Sequence, residues 1–343
     1  MDFPGWPTVL RRLLDGADLS GDEASAAVTT ILAGEATAAQ IAGFLVALRA
    51  KGPTVTEFAG MLGAMLAAAT PLPLAPDLVA VDTCGTGGDG LHTINVSTIA
   101  ALVVAGAGGR VCKHGNRAAS SACGSADVLE ALGVRIDAPP AVVARCVTEA
   151  GIGFCFAPTF HPAMRHVGPT RRELGIPTVF NLLGPCANPA RVRRQVVGVS
   201  DPAHAELIAI ALAAAGSEHV LVVHGHDGID ELSTVGPSTV VAWRDGALTR
   251  TEVDPADLGL ARATHDDLRG GDAATNAAIA RSVLAGAAGP HRDVVLLNAA
   301  AALVVAGLAD DLATGLALGA AAIDDGRAAR ALERLVAVSG SDA

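Results

Sequence analysis

The chain has 343 residues, with 24 Lys and Arg against 35 Asp and Glu, a formal net charge of −11 and an apolar fraction of 51%. That charge opposes a nucleic-acid backbone, which needs a basic surface to displace its counterions, but leaves a small anion open to a few local donors. The length corresponds to about two domains, and a charged fraction of 17% is globular, not disordered.

Aromatics make up 3% of the chain and Tyr is absent, which disfavours a stacking platform for single strands. Cys84, Cys112, Cys123, Cys146, Cys155 and Cys186 form no C-x-x-C pair, so neither a zinc ribbon nor a thioredoxin-like site is written here. Arginines and aspartates interrupt the N-terminal apolar residues, and the run AALVVAGAGG is too short to span a bilayer. The expectation is a cytoplasmic chain with reduced thiols and no membrane partner.

The first 70 residues carry helical periodicity. TVLRRLLDG stops at Gly16, Ser20 caps DEASAAVTTILAG, and Thr37 caps AAQIAGFLVALRAKG, which ends at Lys51-Gly52. Thr54 or Thr56 caps EFAGMLGAMLAAA, and Pro71, Pro73 and Pro76 then mark a domain boundary. Beyond it, short apolar runs alternate with helices: LVAVDT, RVCKHGN, a possible strand VRID, IGFCFA, RQVVGVS and HVLVVHG. Such alternation predicts a parallel α/β sheet. Residues 158–190 break the rhythm with Pro, Gly, Arg and His, and predict two short helices and long loops. Asp245-Gly246 predicts a hairpin turn in TVVAWRDGALT, and the C-terminal third reads as three helical stretches, GDAATNAAIARSVLAG, NAAAALVVAG and DLATGLALGAAAIDDGRAARALERLVAVS.

Five constellations could carry chemistry. The loop Asp82-Thr83-Cys84-Gly85-Thr86-Gly87-Gly88-Asp89 is either a tight turn or a phosphate cradle; it matches neither the dinucleotide nor the P-loop pattern. Thr93, Asn95, Ser97 and Thr98 cluster at the start of an apolar helix, more polar groups than one cap needs, which favours an anion site. Lys113, His114, Asn116, Arg117, Ser120, Ser121 and Ser125 follow a strand, where α/β ligands bind, though a solvated polar loop would look the same. Asp230-Glu231 suits Mg2+, although an acidic pair alone is more often merely solvated; His224 and His226 nearby lack further zinc-ligand spacing. Arg165, His166, Arg171 and Arg172 offer guanidinium groups to a carboxylate, or simply a charged helix face.

Taken together, these strings resemble the anthranilate phosphoribosyltransferases. The resemblance covers nearly the whole chain, from ADLSGDEA and QIAGFLVALRAKG through DTCGTGGDG, NVST, KHGNRAASSACGSADVLEALG, FAPTFHPAMRHVGPTRRELGIPTVFNLLGPCANPA and VVHGHDGIDELS to NAAAALVVAG. It implies an α/β fold with a small N-terminal helical domain, residues 1–72 plus part of the segment at about 165–190. A larger α/β domain, 73–343, would carry a mostly parallel central sheet flanked by helices. It also implies an active site between the domains, a homodimer through the helical domain, phosphoribosyl pyrophosphate (PRPP) and anthranilate as substrates, and Mg2+ as two ions.

By the same resemblance, Gly85, Gly88, Asp89, Thr93, Asn95, Val96, Ser97, Thr98, Lys113, His114, Gly115, Asn116, Arg117, Ala118, Ala119, Ser120, Ser121 and Ser125 would bind PRPP. Lys113, Asp230 and Glu231 would be catalytic, with Ser97, Asp230 and Glu231 positioning the metal. Gly85, Asn116 and Arg171 would contact anthranilate, Arg171 facing its carboxylate. Met164 stands where some relatives carry an aromatic residue, which bears on the lining of the anthranilate path. The implied reaction is displacement of pyrophosphate from the anomeric carbon by the arylamine, with inversion. Rival readings are a pyrimidine nucleoside phosphorylase, a catalytically silent relative that binds nucleic acid, and a transferase for a different aromatic amine.

Overall fold

Four helices precede the first strand: α1 (Trp6–Leu14), α2 (Gly21–Leu32), α3 (Ala38–Lys51) and α4 (Val55–Ala68). The computed structural model describes residues 3–118 and 122–341, so Ala119, Ser120 and Ser121 of the expected PRPP run lie outside the described residues. Ser20, Thr37 and Thr54 each close a reciprocal capping box with Glu23, Gln40 and Glu57. Each cap contributes about 1 kcal/mol by satisfying amides that the helix leaves unpaired. Of the two candidate caps for α4, Thr54 is used because Glu57 stands three residues on. Buried Glu57 also accepts from the Leu19 amide and from Lys51 Nζ, both at 2.9 Å.

The sheet then builds from β1 (Val81–Gly85), α5 (Val96–Gly106), β2 (Val111–Gly115), α6 (Ser125–Ala131), α7 (Pro140–Arg145) and β3 (Ile152–Phe156). Next come α8 (Ala157–Phe160), α9 (Gly168–Leu174) and α10 (Val179–Cys186). The chain returns to the sheet through β4 (Arg194–Gly198), α11 (Ala205–Ala214), β5 (His219–Gly225), β6 (Ser238–Arg244) and β7 (Ala247–Val253). It finishes in α12 (Ala273–Leu284), α13 (Pro290–Ala306), α14 (Leu312–Asp324) and α15 (Arg327–Ser339). Strand order is β3-β2-β1-β4-β5-β6-β7, parallel from β3 to β5 and antiparallel thereafter. Asp245 and Gly246 both take positive φ at the β6–β7 turn, as the Asp-Gly signal required. No helix among the described residues is long and apolar enough to cross a membrane.

Alternate residues of the central strands face two cores. Val196, Leu221, Val223 and Val240 pack with α5 and α12–α15, while Val197, Val220, Val222 and Val241 pack with α1–α4, α10 and α11. Burial on both faces explains why these strands read as continuous apolar runs. Val167, Val179, Phe180, Leu183 and Cys186 belong to the second core, beside the N-terminal helices.

Three expectations change. VRID forms no strand: Val134 and Ile136 are buried, but the Arg135 amide donates to Ser339 Oγ at 3.1 Å and the Val134 amide to Leu129 O at 3.0 Å. A helix end and a distant helix thus take amides that a strand would have given to a neighbour. Residues 157–186 hold three short α-helices and a 3-10 turn (Pro162–His166), more helix than the proline and glycine content suggested. Prolines at the first or second positions of α8 and α9 and of the turn are compatible with helix starts. The last helical stretch is two helices, broken at Gly326, whose φ of +70° favours glycine.

Candidate active site

From β1 the chain crosses to β2 and β3 on one side, and then returns to β4 on the other side of β1. The carboxyl ends of β1 and β4 therefore flank the switch point, where open α/β sheets hold their ligands. Gly85 and Gly198 end those strands and pair with each other. A Cβ on Gly85 would lie 2.1 Å from Asp230 Oδ2, and one on Gly198 only 1.5 Å from the Asp230 carbonyl oxygen. The two missing side chains are what seat Asp230 over the sheet end. Asp230 Oδ2 in turn accepts from the Gly87 amide at 2.7 Å. Gly87, Gly88 and Gly90 have φ of +66°, +81° and +72°, which side chains rarely adopt, and their faces are open.

Glu231 turns the other way and accepts from the Ser97 amide at 3.1 Å, in the first turn of α5. Its carboxylate sits at the positive end of that helix. Burial and the neighbouring Asp230 charge push Glu231 up to about 8, against the pull of Lys113 and Ser97. Burial and the Asp89 carboxyl likewise raise Asp230 above the usual carboxylate range. The oxygen set of Asp230, Glu231 and Ser97 fits a hard cation such as Mg2+, which would relieve this crowding. Among the described residues no group of three His, Cys, Asp or Glu could hold an ion alone. Mg2+ normally completes its shell with water and substrate phosphates.

Lys113 and His114 lie within β2 and are buried, not in the loop beyond it. Lys113 is 2% exposed, and its Nζ donates to Thr83 O and, at 3.3 Å, to Ser97 Oγ. Its charge thus stands behind the start of α5. On the opposite face Asp82 is fully buried and accepts from the His114 amide at 3.1 Å and from Asn188 Nδ2 at 2.8 Å. Asn188 also donates to Cys112 O at 2.7 Å, and its Oδ1 accepts from the Ala190 amide at 2.9 Å. His114 Nδ1 meets Gly184 O at 3.1 Å, and Cys84 Sγ donates to Pro185 O at 3.3 Å. The end of α10 is therefore pinned to the two strands that carry the polar loops.

The other expected PRPP residues divide by exposure and partner. Gly88 is exposed, and Asp89 accepts from the Leu91 amide at 3.1 Å. Val96 and Thr98 are buried, and Thr93 forms an isolated bridge with Arg269. Asn95 donates to Cys123 O at 3.1 Å and accepts from Asn276 Nδ2 at 2.9 Å, so its side chain ties the loop before α6 to α12. Gly115 ends β2, where a Cβ would meet Ser125 Oγ at 2.2 Å, and Ser125 Oγ donates to Asn116 O at 3.2 Å. Asn116 is exposed, and the Ala118 amide donates to Asp127 at 2.9 Å. Arg117, the cation remaining in the described loop, pairs with Asp127 and Glu130, both at 2.8 Å.

Arg171 stands in the last turn of α9. Its Nη2 donates to Asn181 Oδ1 at 3.1 Å, and its guanidinium lies 5.8 Å from the Phe180 ring centre. Burial lowers its proton affinity. No acid pairs with it among the described residues, although Arg12, Arg117 and Arg292 all have such partners. Arg172 is exposed, Arg165 is exposed with Pro162 O as partner at 3.4 Å, and His166 is half-buried. Asn181, Asn188 and Gly198 are not among the expected site residues, and Asp82, expected as part of the glycine loop, is a buried acceptor within β1. The signals available in sequence are an acid at the end of an apolar run before the glycine loop, two asparagines in the Pro- and Gly-rich segment at 158–190, and a strand ending in glycine.

Residues 7–69 match the helical bundle domain of a glycosyl transferase family, and residues 77–329 match the a/b domain of that family. The chain is 55% identical over 340 residues to an anthranilate phosphoribosyltransferase of Arthrobacter sp. (strain FB24), covering 97% of this chain and 96% of that one. The crystal structure of anthranilate phosphoribosyltransferase from Thermus thermophilus superposes with a TM-score of 0.91 at 44% identity, covering 97% and 99% of the two chains. The Saccharomyces cerevisiae enzyme in complex with PRPP and Mg has a TM-score of 0.90 at 30% identity, with 98% of each chain covered.

Proposed function

The chain belongs to the anthranilate phosphoribosyltransferases, and from that premise we propose how its residues divide the work of the reaction. The Mg2+-dependent reaction moves the phosphoribosyl group of PRPP to the amine of anthranilate, releasing pyrophosphate. It gives N-(5-phosphoribosyl)anthranilate in tryptophan biosynthesis.

The diphosphate of PRPP lies over the loop from Gly85 to Asp89 and against the start of α5. Gly88, Thr93, Asn95, Val96, Ser97, Thr98 and the run from Lys113 to Ala118, with Ser125, line its site. The loop and helix amides, with Lys113 behind Ser97, supply positive potential where negative charge grows as the anomeric bond breaks. Asp230, Glu231 and Ser97 would hold Mg2+, as two ions, whose charge would neutralise the diphosphate and make it a better leaving group. The observation that supports this most strongly is that the two adjacent acids reach two different amides, Gly87 at 2.7 Å and Ser97 at 3.1 Å.

Gly85, Asn116 and Arg171 receive anthranilate. An arylamine is neutral at pH 7 and needs no strong base before attack, so holding the two substrates together supplies much of the rate. Arg171 offers a half-buried, acid-free guanidinium to the carboxylate. An assay with PRPP, Mg2+ and anthranilate, following loss of anthranilate fluorescence, tests the assignment. Thymidine phosphorolysis without added Mg2+, in place of anthranilate loss, would favour the nucleoside phosphorylase reading.

The division at the prolines near residue 72, with part of 165–190 returned to the helical domain, is supported by α9 packing on α3 and α10 on α3 and α4, in a core that also takes in α11 and one face of the sheet. The chain forms a homodimer through that domain. Leu14 on α1 and Val46 on α3 support this, being 76% and 43% exposed. Leu14→Glu should shift the species seen by sedimentation from dimer toward monomer.

A further inference from the structure

One residue of α10 fixes where the Arg171 guanidinium points. Asn181 Oδ1 accepts from Arg171 Nη2 at 3.1 Å and also from the Thr178 amide at 2.9 Å. The Asn181 amide donates back to Thr178 O at 2.9 Å. The oxygen that orients Arg171 is therefore anchored in the first turn of α10, where Thr178 is the N-cap. Phe180, the preceding residue, lies against the same guanidinium.

The chemistry of this acceptor matters as much as its position. A carboxylate here would accept the same Thr178 amide and would suit a helix N-terminus better than a neutral amide does. It would also neutralise Arg171 within a half-buried pair. A neutral amide orients the guanidinium and leaves its charge and remaining N–H donors for an anion from outside the protein.

We propose that Asn181 is a positioning and specificity-determining residue for the acceptor substrate: by holding Arg171 through a neutral oxygen, it selects an amine that carries a carboxylate. This rests on the assignment of Arg171 to anthranilate given above.

The test compares N181D, N181A and R171A with the wild-type enzyme, using anthranilate and its uncharged analogue 2-aminobenzamide. N181D retains the cap, so its melting temperature should stay near wild type. Its KM for anthranilate should rise about tenfold or more, the worth of one lost charge-assisted contact, with the PRPP KM within about twofold. The preference for anthranilate over 2-aminobenzamide should shrink in parallel, which a purely structural role would not produce. N181A should raise the anthranilate KM less, because the guanidinium keeps its charge and loses only its anchor. If R171A raises the anthranilate KM while N181D keeps both the wild-type KM and preference, Asn181 is only a helix cap and the proposal is wrong. If R171A leaves the anthranilate KM unchanged, the Arg171 assignment itself fails and takes the proposal with it.

Discussion

The Gly87 amide and the Asp230 carboxylate, 143 residues apart in the chain, meet at 2.7 Å over the ends of β1 and β4. That bond ties the glycine loop to the acidic pair, so the two act as one site. Asp230→Ala or Glu231→Ala should cut turnover by at least about a hundredfold with the fold retained, as removal of a charge-stabilising group does. Circular dichroism and the anthranilate fluorescence assay measure both. Near-normal rates in the double variant would remove the metal role, as would full activity in excess EDTA.

Gly198 should be as sensitive as any charged residue of the site, although it has no chemistry of its own. A Cβ there would fall 1.5 Å from the Asp230 carbonyl oxygen, and backbone on both sides cannot yield cheaply. Gly198→Ala should lower the melting temperature and displace Asp230, costing on the order of 1–3 kcal/mol as overpacking does. A variant with wild-type stability and kcat would show that the loop moves freely and that the close fit is unimportant.

Arg171→Ala should raise the KM for anthranilate by ten- to a hundredfold, on the order expected for a charged hydrogen bond, and the KM for PRPP far less. Steady-state titration of each substrate at saturation of the other separates the two. An equal rise in both would contradict the carboxylate assignment.

His114 gives the enzyme an acid-sensitive element. Burial, then the His161 and Lys113 charges, depress it to about 3, against the pull of the Gly184 carbonyl. Because that carbonyl accepts from Nδ1, the proton sits there and Nε2 is left buried without a partner among the described residues. Below about pH 6.5 the unfolded chain binds a proton that the native state refuses, so stability falls with pH from there toward 3, by up to about 1.4 kcal/mol per pH unit. The contribution is complete above pH 6.5. Urea melts from pH 7 to 4 should show a shallower decline in His114→Gln than in wild type; parallel curves would exclude His114 as the source.

Asn188 holds a buried carboxylate and two strands at once, so Asn188→Ala should cost about 2–4 kcal/mol, the penalty for leaving a buried charged acceptor short of a donor. Denaturant titration gives the value. Asn188→Ala together with Asp82→Asn should cost less than the two single changes summed, because the orphaned charge is gone. Strict additivity would mean that the pair does not interact.

Local chemistry made much of this legible in sequence. The three helix caps, the Asp-Gly turn, the alternation that gives a parallel sheet and the glycine loop all depend on neighbours within a few residues. The family strings likewise placed Asp230, Glu231 and Arg171 on the list of candidates. Tertiary structure decided which polar groups face the site. Lys113 reads as a loop cation but ends buried in β2 because the strand pairs along its full length with β3. Arg117 reads as an anion donor but is paired with Asp127 and Glu130. The site-building roles of Gly198, Asn181 and Asn188 have no local signature, since each depends on what lies opposite: the Asp230 carbonyl, the Arg171 guanidinium and the Asp82 carboxylate. A sequence records which groups are available, while burial and distance, set only when distant segments pack, fix the partner each one takes.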